Sequence, residues 1–315
     1  MKKNKIAITG AGGFIGAHLV KRYLNAGEKV IAIDNFMRGD ESRLPKNHRN
    51  LTTVKSDIRF ATKDLKLGLH SAHTVFHLAA INGTENFYTK PDLVLDVGVR
   101  GIMTVMDVCK EAGVKNLIVA SSAEVYQTPN IIPTPEDVAL TLPNSVNPRY
   151  SYGGSKILTE LVAMNYHREF FNKLMIFRPH NVYGPDMGTK HVIPQLILKV
   201  LALKNKSNKK GLEIKGSPDS SRAFAYIDDV INGLSLMAES GEHREIYHIG
   251  NDVECTIQDL ARQIMQIANV KTSIFTGDAF EGETLRRCPS IEKIKSIGYI
   301  PKVALPVGLK NTFDW

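Results

Sequence analysis

Short apolar runs alternate with longer segments whose apolar positions recur at helical spacing. Lys5–Thr9 is a short apolar run closed by glycine, the mark of a buried strand. Residues 14–26 follow with Phe14, Ile15, Leu19 and Leu24 on a helical period, and Gly27 ends that helix. Residues 29–33 form the next apolar strand, which runs into Asp34. Together these make one β-α-β unit of about 30 residues.

The alternation continues along the chain. Leu51–Lys55, 74–78, Asn116–Ala120 and 173–177 read as buried strands. Helices are expected over 93–112 and 155–171, and in the second Ile157, Leu158, Leu161 and Val162 share one face. Strands that alternate with helices predict a parallel sheet covered on both sides. Beyond Phe177 the pattern loosens into shorter elements punctuated by proline, glycine and lysine. There, 256–268 is an amphipathic helix with Thr256 as its N-cap. The fold class is therefore α/β: a Rossmann-type, doubly wound parallel sheet with a smaller mixed α/β lobe for substrate. The first domain is expected over 1–178, with part of 222–250 packed onto it. The lobe is expected over 179–315, closing over the carboxyl ends of the strands, where open α/β sheets bind ligands.

Composition narrows the classes. The 315 residues are 43% hydrophobic and 23% charged, a globular balance without a long apolar run, so membrane insertion is not expected. Lysines precede the first apolar run, but Gly10, Gly12, Gly13 and Gly16 interrupt it too early for a signal peptide, which points to the cytoplasm. Cys109, Cys255 and Cys288 are few, scattered and without metal spacing, so neither a disulfide framework nor a metal site is expected. The net charge is +8, with six lysines between Lys199 and Lys215. No nucleic-acid reading motif accompanies them, and nucleic acid is not an expected partner. A basic surface suits a substrate that carries a diphosphate.

The chemistry begins at Gly10, Gly13 and Gly16, a G-x-x-G-x-x-G pattern between a strand and a helix. Without side chains the backbone turns sharply, approaches a pyrophosphate and packs the helix on the sheet. The helix N-terminus then offers unpaired N–H groups to the phosphates. Asp34, at the end of the second strand, is placed to accept hydrogen bonds from a ribose diol and to repel a 2′-phosphate, which favours NAD; Arg38 nearby pulls the other way. Asp57 and Ile58 follow the third strand, where a carboxylate meets an adenine edge or caps a helix. Tyr152 and Lys156 stand four apart on one helical face. An ammonium beside a phenol is expected to lower its pKa and make it a general base toward an alcohol losing hydride. Ser121 and Ser122 end an apolar strand, where a hydroxyl bridges the reacting oxygen and the phenol or caps a turn.

These residues, in this order, resemble the extended short-chain dehydrogenase/reductase superfamily, in particular the nucleotide-sugar epimerases and dehydratases of the UDP-glucose 4-epimerase type. The resemblance also rests on His77-Leu78-Ala79-Ala80, on Ser121 through Tyr126, and on Arg178 through Pro185. Further marks are Arg222 with Phe224, Tyr226, Asp228 and Asp229, then Arg287-Cys288-Pro289, and a closing Gly298-Tyr299-Ile300-Pro301. It implies a catalytic trio of Ser122, Tyr152 and Lys156. The implied NAD shell is Gly10, Gly13, Phe14, Ile15, Gly16, Asp34, Asn35, Arg38, Asp57, Ile58, Leu78, Ala79, Ala80 and Ser121, with Tyr152 and Lys156 shared. Asn181, Arg222 and Arg287 would hold the diphosphate of a nucleotide-diphosphate sugar, a task suited to the guanidinium fork. A homodimer through the helices over 93–112 and 155–171 is also implied. Two positions depart from the family pattern: Gly98 stands where asparagine is usual, and Gln127 where glycine is frequent.

In such enzymes transient oxidation at C4 gives a 4-keto sugar, and neighbouring acid/base groups decide the fate of that ketone. Dehydratases and decarboxylases of this family pair an acidic or hydroxyl donor with glutamate after the serine; here the pair is Ala123 and Glu124. His191, before Val192-Ile193-Pro194, matches a histidine that acts at carbon in GDP-fucose synthase. Glu124 and His191 either exchange a proton at a neighbouring carbon, or Glu124 bonds a sugar hydroxyl and His191 caps a helix. The expected activity is an NAD-dependent nucleotide-sugar epimerase. A 4,6-dehydratase, a UDP-glucuronate decarboxylase-like enzyme and a non-catalytic NAD-binding protein remain as alternatives, and the nucleotide and sugar contacts lie within 184–222 and 275–287.

Overall fold

The computed structural model describes residues 4–204, 211–277 and 284–315. The centre of the lysine run and part of the 275–287 segment lie outside the described residues. The first elements are β1 (Lys5–Thr9), α1 (Phe14–Asn25), β2 (Lys29–Asp34), β3 (Leu51–Lys55), α2 (Lys63–Leu69) and β4 (Thr74–His77). Next come α3 (Thr84–Thr89), α4 (Pro91–Leu95), α5 (Gly101–Glu111), β5 (Asn116–Ala120), α6 (Ser151–Asn165) and β6 (Lys173–Pro179). The chain continues with β7 (Val182–Tyr183), α7 (Val192–Lys204), β8 (Leu212–Lys215), β9 (Ser221–Ala223), β10 (Ala225–Tyr226), α8 (Ile227–Ser240) and β11 (Ile246–Ile249). It ends with β12 (Glu254–Thr256), α9 (Ile257–Ala268), β13 (Ile274–Gly277), β14 (Arg286–Arg287), α10 (Glu292–Ser296) and α11 (Leu305–Asp314).

The chain divides into two compact units. The first takes in Met1–Gln127, Ala139–Pro179 and Leu234–Tyr247; the second takes in Thr128–Val138, His180–Gly233 and His248–Trp315. The seven-stranded sheet runs β11-β6-β5-β4-β1-β2-β3, and β1 pairs in parallel with both β2 and β4. This is the Rossmann-type α/β fold expected from the apolar runs. Ala7, Ile31, Val75, Leu117 and Ile176 are buried because helices cover both faces of the sheet. The chain reverses its direction of winding between β1 and β4, and the glycine turn leaves the sheet at that point.

The helices depart from expectation in instructive ways. The helix expected over 93–112 begins at Pro91, whose missing N–H suits a first turn, and one π turn (Asp96–Arg100) joins α4 to α5. Gly98 lies in that turn, where a Cβ would sit 2.8 Å from Ser155 Cβ. Asparagine there would collide with α6, so glycine at this position is a packing solution. The helix expected over 155–171 instead begins at Ser151, after a 3-10 turn (Pro148–Tyr150) capped by the Asn147 side chain. Of its apolar positions Leu158 and Leu161 are exposed, Ile157 is half-buried and Val162 packs against the core, while Tyr152, Ser155, Lys156, Thr159 and Glu160 are buried.

Unit 2 holds smaller sheets, β10-β7, β12-β9-β14 and β13-β8. In α9 Thr256 is the N-cap as expected, its hydroxyl accepting from Asp259 N, and Asn269 ends the helix in a left-handed conformation.

Candidate active site

The glycine turn is shaped by close backbone packing. Gly10 has φ +72°, and a Cβ there would lie 2.7 Å from Ala79 N. At Gly16 a Cβ would run into the Gly10 carbonyl. Leu78 N donates to Thr9 O at 3.1 Å and Ala79 N to Thr9 Oγ1 at 3.4 Å, which binds the ends of β1 and β4 together. Gly13 is the N-cap of α1 and offers no side-chain cap, and the first turn with Phe14 and Ile15 carries no acid. That end of α1 has bare N–H groups and a partial positive charge, and so fits a pyrophosphate.

Asp34 is buried rather than a surface carboxylate. Its Oδ2 accepts from Gly12 N at 2.9 Å and its Oδ1 from Phe36 N at 2.8 Å. It therefore fastens the glycine turn to the end of β2, and a carboxylate with about four lone-pair sites keeps acceptor capacity for a diol. Asp57 is held by Arg59 (2.8 Å) and by Asn35 Nδ2 (3.0 Å), and the Arg59 hydrogen bonds hold its carboxyl below the usual range. Ile58 is buried against Gly101. Arg38 donates to the Asn82 carbonyl. Burial lowers the pKa of Arg38, and the neighbouring Tyr152 opposes that shift.

Ser122, Tyr152 and Lys156, the trio expected to be catalytic, come together beyond the carboxyl end of β5. Ser122 hydrogen-bonds Tyr152, and its Oγ also accepts from Glu124 N at 3.2 Å, capping the 3-10 turn Ala123–Val125. Lys156 Nζ donates to Ala120 O at 2.8 Å and lies 5.9 Å from the centre of the Tyr152 ring. Burial lowers the Lys156 pKa to about 8, against the pull of Glu160. The expectation that Lys156 lowers the tyrosine pKa is not met in this form. Burial pushes the Tyr152 phenol up to about 12 and outweighs the opposing Ser122 hydrogen bond and Arg38 charge, while Glu124 adds to the rise. The Lys156 ammonium is directed at a strand carbonyl, which limits its effect on the phenol.

Four residues near this site had no role assigned from the sequence. Phe87 stacks on Tyr152, with ring centroids 5.1 Å apart. Arg149 lies over the Phe87 ring at 5.6 Å and pairs with Glu124 Oε2 at 3.4 Å. Glu160, buried, receives Arg178 Nε at 2.8 Å and Nη2 at 2.6 Å, and also takes the Ser121 hydroxyl. His77, buried against Thr9 Oγ1 at 2.9 Å, is pushed down to about 3, chiefly by burial, and stays neutral. A spacing signal existed for Glu160: Tyr152, Lys156 and Glu160 fall at i, i+4 and i+8 on one helical face.

In unit 2, Arg222 of β9 and Arg287 of β14 are register partners in a parallel pair. Arg222 donates to Ser221 O (2.8 Å) and Leu285 O (3.2 Å), and Arg287 to Thr284 Oγ1 (3.3 Å). Asn181 Nδ2 donates to Ala223 O at 3.0 Å, which ties it to the same small sheet. Ala80 is half-buried at the end of the β4 segment. His191 is exposed just before α7, and its carbonyl accepts from Gln195 N. Among the described residues no group of three or more His, Cys, Asp or Glu is placed to hold a metal ion, and no helix is long and apolar enough to cross a membrane.

The sequence profile of the NAD dependent epimerase/dehydratase family matches residues 6–250. The chain belongs to this family. A putative UDP-glucose 4-epimerase of Methanocaldococcus jannaschii is 30% identical over 314 residues, 98% of this chain and 97% of that protein. UDP-glucuronic acid decarboxylase 4 of Arabidopsis thaliana is 29% identical over 97% of this chain and 67% of the plant protein. Among solved structures, the dTDP-glucose 4,6-dehydratase of Streptomyces venezuelae, determined with NAD bound, superposes with a TM-score of 0.88 at 28% identity, covering 99% of this chain and 96% of that one. The family is NAD-dependent, and the bare helix end and buried Asp34 fit that cofactor. The relatives of this chain include proteins named as epimerases, dehydratases and decarboxylases.

Proposed function

We propose that this chain is a nucleotide-sugar epimerase that works through transient oxidation at C4. The reading is carried by one arrangement: Tyr152 is hydrogen-bonded to Ser122, while the adjacent Glu124 is clamped by Arg149 and the adjacent Ala123 has no proton to give. Such a site supports oxidation of an alcohol without a ready acid for expelling water. Tyr152 takes the C4 hydroxyl proton, Ser122 orients that hydroxyl, and Lys156 supplies nearby positive charge. Bound NAD, held by the glycine turn and Asp34, would supply a reversible hydride acceptor. To accept that proton Tyr152 must be the phenolate, which the Ser122 hydrogen bond and the Arg38 charge favour against burial. Asn181, Arg222 and Arg287 are assigned to the diphosphate, supported by the two arginines standing in register.

A second reading, decarboxylation or dehydration, is supported by the retained Glu124 and by relatives named for decarboxylation. The two are separated by product mass and by isotope. Supplied with UDP-, GDP-, dTDP- and CDP-sugars in heavy water, a C4 epimerase yields an isomer of unchanged mass with no deuterium on carbon. A product lighter by water or carbon dioxide overturns the epimerase reading. Deuterium at C3 or C5 instead reports proton exchange at carbon, and its loss in Glu124→Gln or His191→Asn would assign that residue to the exchange.

The outward apolar positions Leu95, Met103, Leu158 and Leu161 on α4, α5 and α6 support a homodimer through these helices. Leu161→Glu is expected to convert a dimer to a monomer in light scattering. A wild-type monomer contradicts that assignment.

A further inference from the structure

Gln127 stands where the resembling family frequently has glycine, and the backbone explains the usual choice. Its φ is +53°, in the left-handed region that disfavours side chains. This chain nevertheless buries a long amide there. The amide has a defined seat: Gln127 Nε2 donates to the Glu124 carbonyl at 2.6 Å, and Gln127 N reaches the same oxygen at 3.4 Å. The seat exists because residue 153 is glycine. A Cβ at Gly153 would lie 2.6 Å from Gln127 Nε2 and 3.1 Å from Glu124 O. Glycine early in a helix is a weak helix former, so its presence beside Tyr152 follows from this close approach.

The contact joins two turns that both carry candidate chemistry. One is the 3-10 turn Ala123–Val125, which bears Glu124 and is capped by Ser122. The other is the first turn of α6, which bears Tyr152. Glu124 is thus held at both ends, its carbonyl by Gln127 and its carboxylate by Arg149 at 3.4 Å.

We propose that Gln127 is a positioning residue: by tying the Glu124 carbonyl beside Gly153 it fixes the Glu124 turn against the Tyr152 turn, and so sets where the Glu124 carboxylate meets the sugar. The proposal rests on the reading of Tyr152 as the base and of Glu124 as a sugar contact. A glycine at 127 removes the 2.6 Å side-chain hydrogen bond to the Glu124 carbonyl and leaves only the 3.4 Å backbone contact, and the turn gains backbone freedom.

The test is a double-mutant cycle on the NAD-loaded enzyme, using the sugar nucleotide with the highest turnover among the UDP-, GDP-, dTDP- and CDP-sugars. Gln127→Gly keeps the left-handed backbone accessible and is expected to lower kcat about tenfold with KM and NAD content unchanged. Glu124→Gln is expected to lower kcat by itself, but by less than about threefold further in the Gln127→Gly background, because both act through one carboxylate. Gln127→Asn tolerates the same φ with an amide one methylene short, and is expected not to restore turnover. Additive effects, unchanged kcat in Gln127→Gly, or a parallel fall of kcat, NAD content and Tm in both Gln127 variants would each overturn the positioning role. Wild-type turnover in Tyr152→Phe would overturn the underlying reading instead, so the two failures are distinct.

Discussion

The glycine turn and the first turns of α6 reach precision by opposite means. At Gly10 and Gly16 the geometry depends on atoms that are not there: a Cβ at either position would enter the backbone of Leu78–Ala79 or of Gly10 itself. In α6 it depends on polar groups placed where a helix normally buries hydrocarbon. Lys156, Glu160 and Thr159 face inward and Leu158 and Leu161 outward. A binding turn for phosphates needs main-chain N–H groups and little else. A site that moves protons needs side chains held in a dry environment, and each must be paired to be tolerated there.

This contrast predicts how each region fails. The largest effect is expected in α6. Glu160→Ala leaves the buried Arg178 guanidinium without its two carboxylate hydrogen bonds, and removing one partner of such a pair costs about 3–5 kcal/mol. Chemical denaturation measures it; a loss below about 1 kcal/mol would mean that the pair is replaced by other contacts. Gly16→Ala is expected to cost about 1–3 kcal/mol, because the α1 turn must shift away from Gly10 O. NAD retention should fall with it, since the same shift moves the N–H groups of α1. Unchanged NAD content in Gly16→Ala would break the link between close packing and cofactor grip.

The most gradual effect is a pH dependence. Lys156 is depressed from its ordinary 10.5 to about 8 by burial. Between these values the unfolded chain binds more protons at this position than the folded one, so this residue makes stability rise with pH from about 8 to about 10.5. Below that window the buried ammonium costs its full desolvation. Comparison of wild type with Lys156→Met isolates the contribution, on the order of 3 kcal/mol across the window. A wild-type curve parallel to that of Lys156→Met would place Lys156 in contact with solvent.

The two regions also differ in how far they could be read from the sequence. The spacing of Gly10, Gly13 and Gly16 between two apolar runs located the turn and its strands almost residue for residue, because a missing side chain is itself written in the sequence. Asp34 was legible by its position, but its bond to Gly12 N was not, since that depends on how β1 and β2 pair. In α6 the apolar residues marked a shared face, but the buried side carries Tyr152, Lys156, Thr159 and Glu160. Asn147 and Pro148 carried the start signal, and Gly153 and Gly154 obscured it. Arg149 and Gln127 were hidden for a further reason: their roles arise from turns that meet only in the folded chain. Arg222 and Arg287, 65 positions apart in number, stand side by side only because β9 and β14 pair.

The central claim is that Tyr152 drives a reversible oxidation within one turnover. It is tested most directly by following reduced nicotinamide absorbance on the NAD-loaded enzyme after rapid mixing with each sugar nucleotide. The account predicts a transient rise that decays as isomer forms, and a fall in its rate by about 10²–10⁴-fold in Tyr152→Phe. A rise of equal rate in both proteins, or isomer formed with no reduced cofactor even under single-turnover conditions in the Tyr152→Phe enzyme, would contradict it.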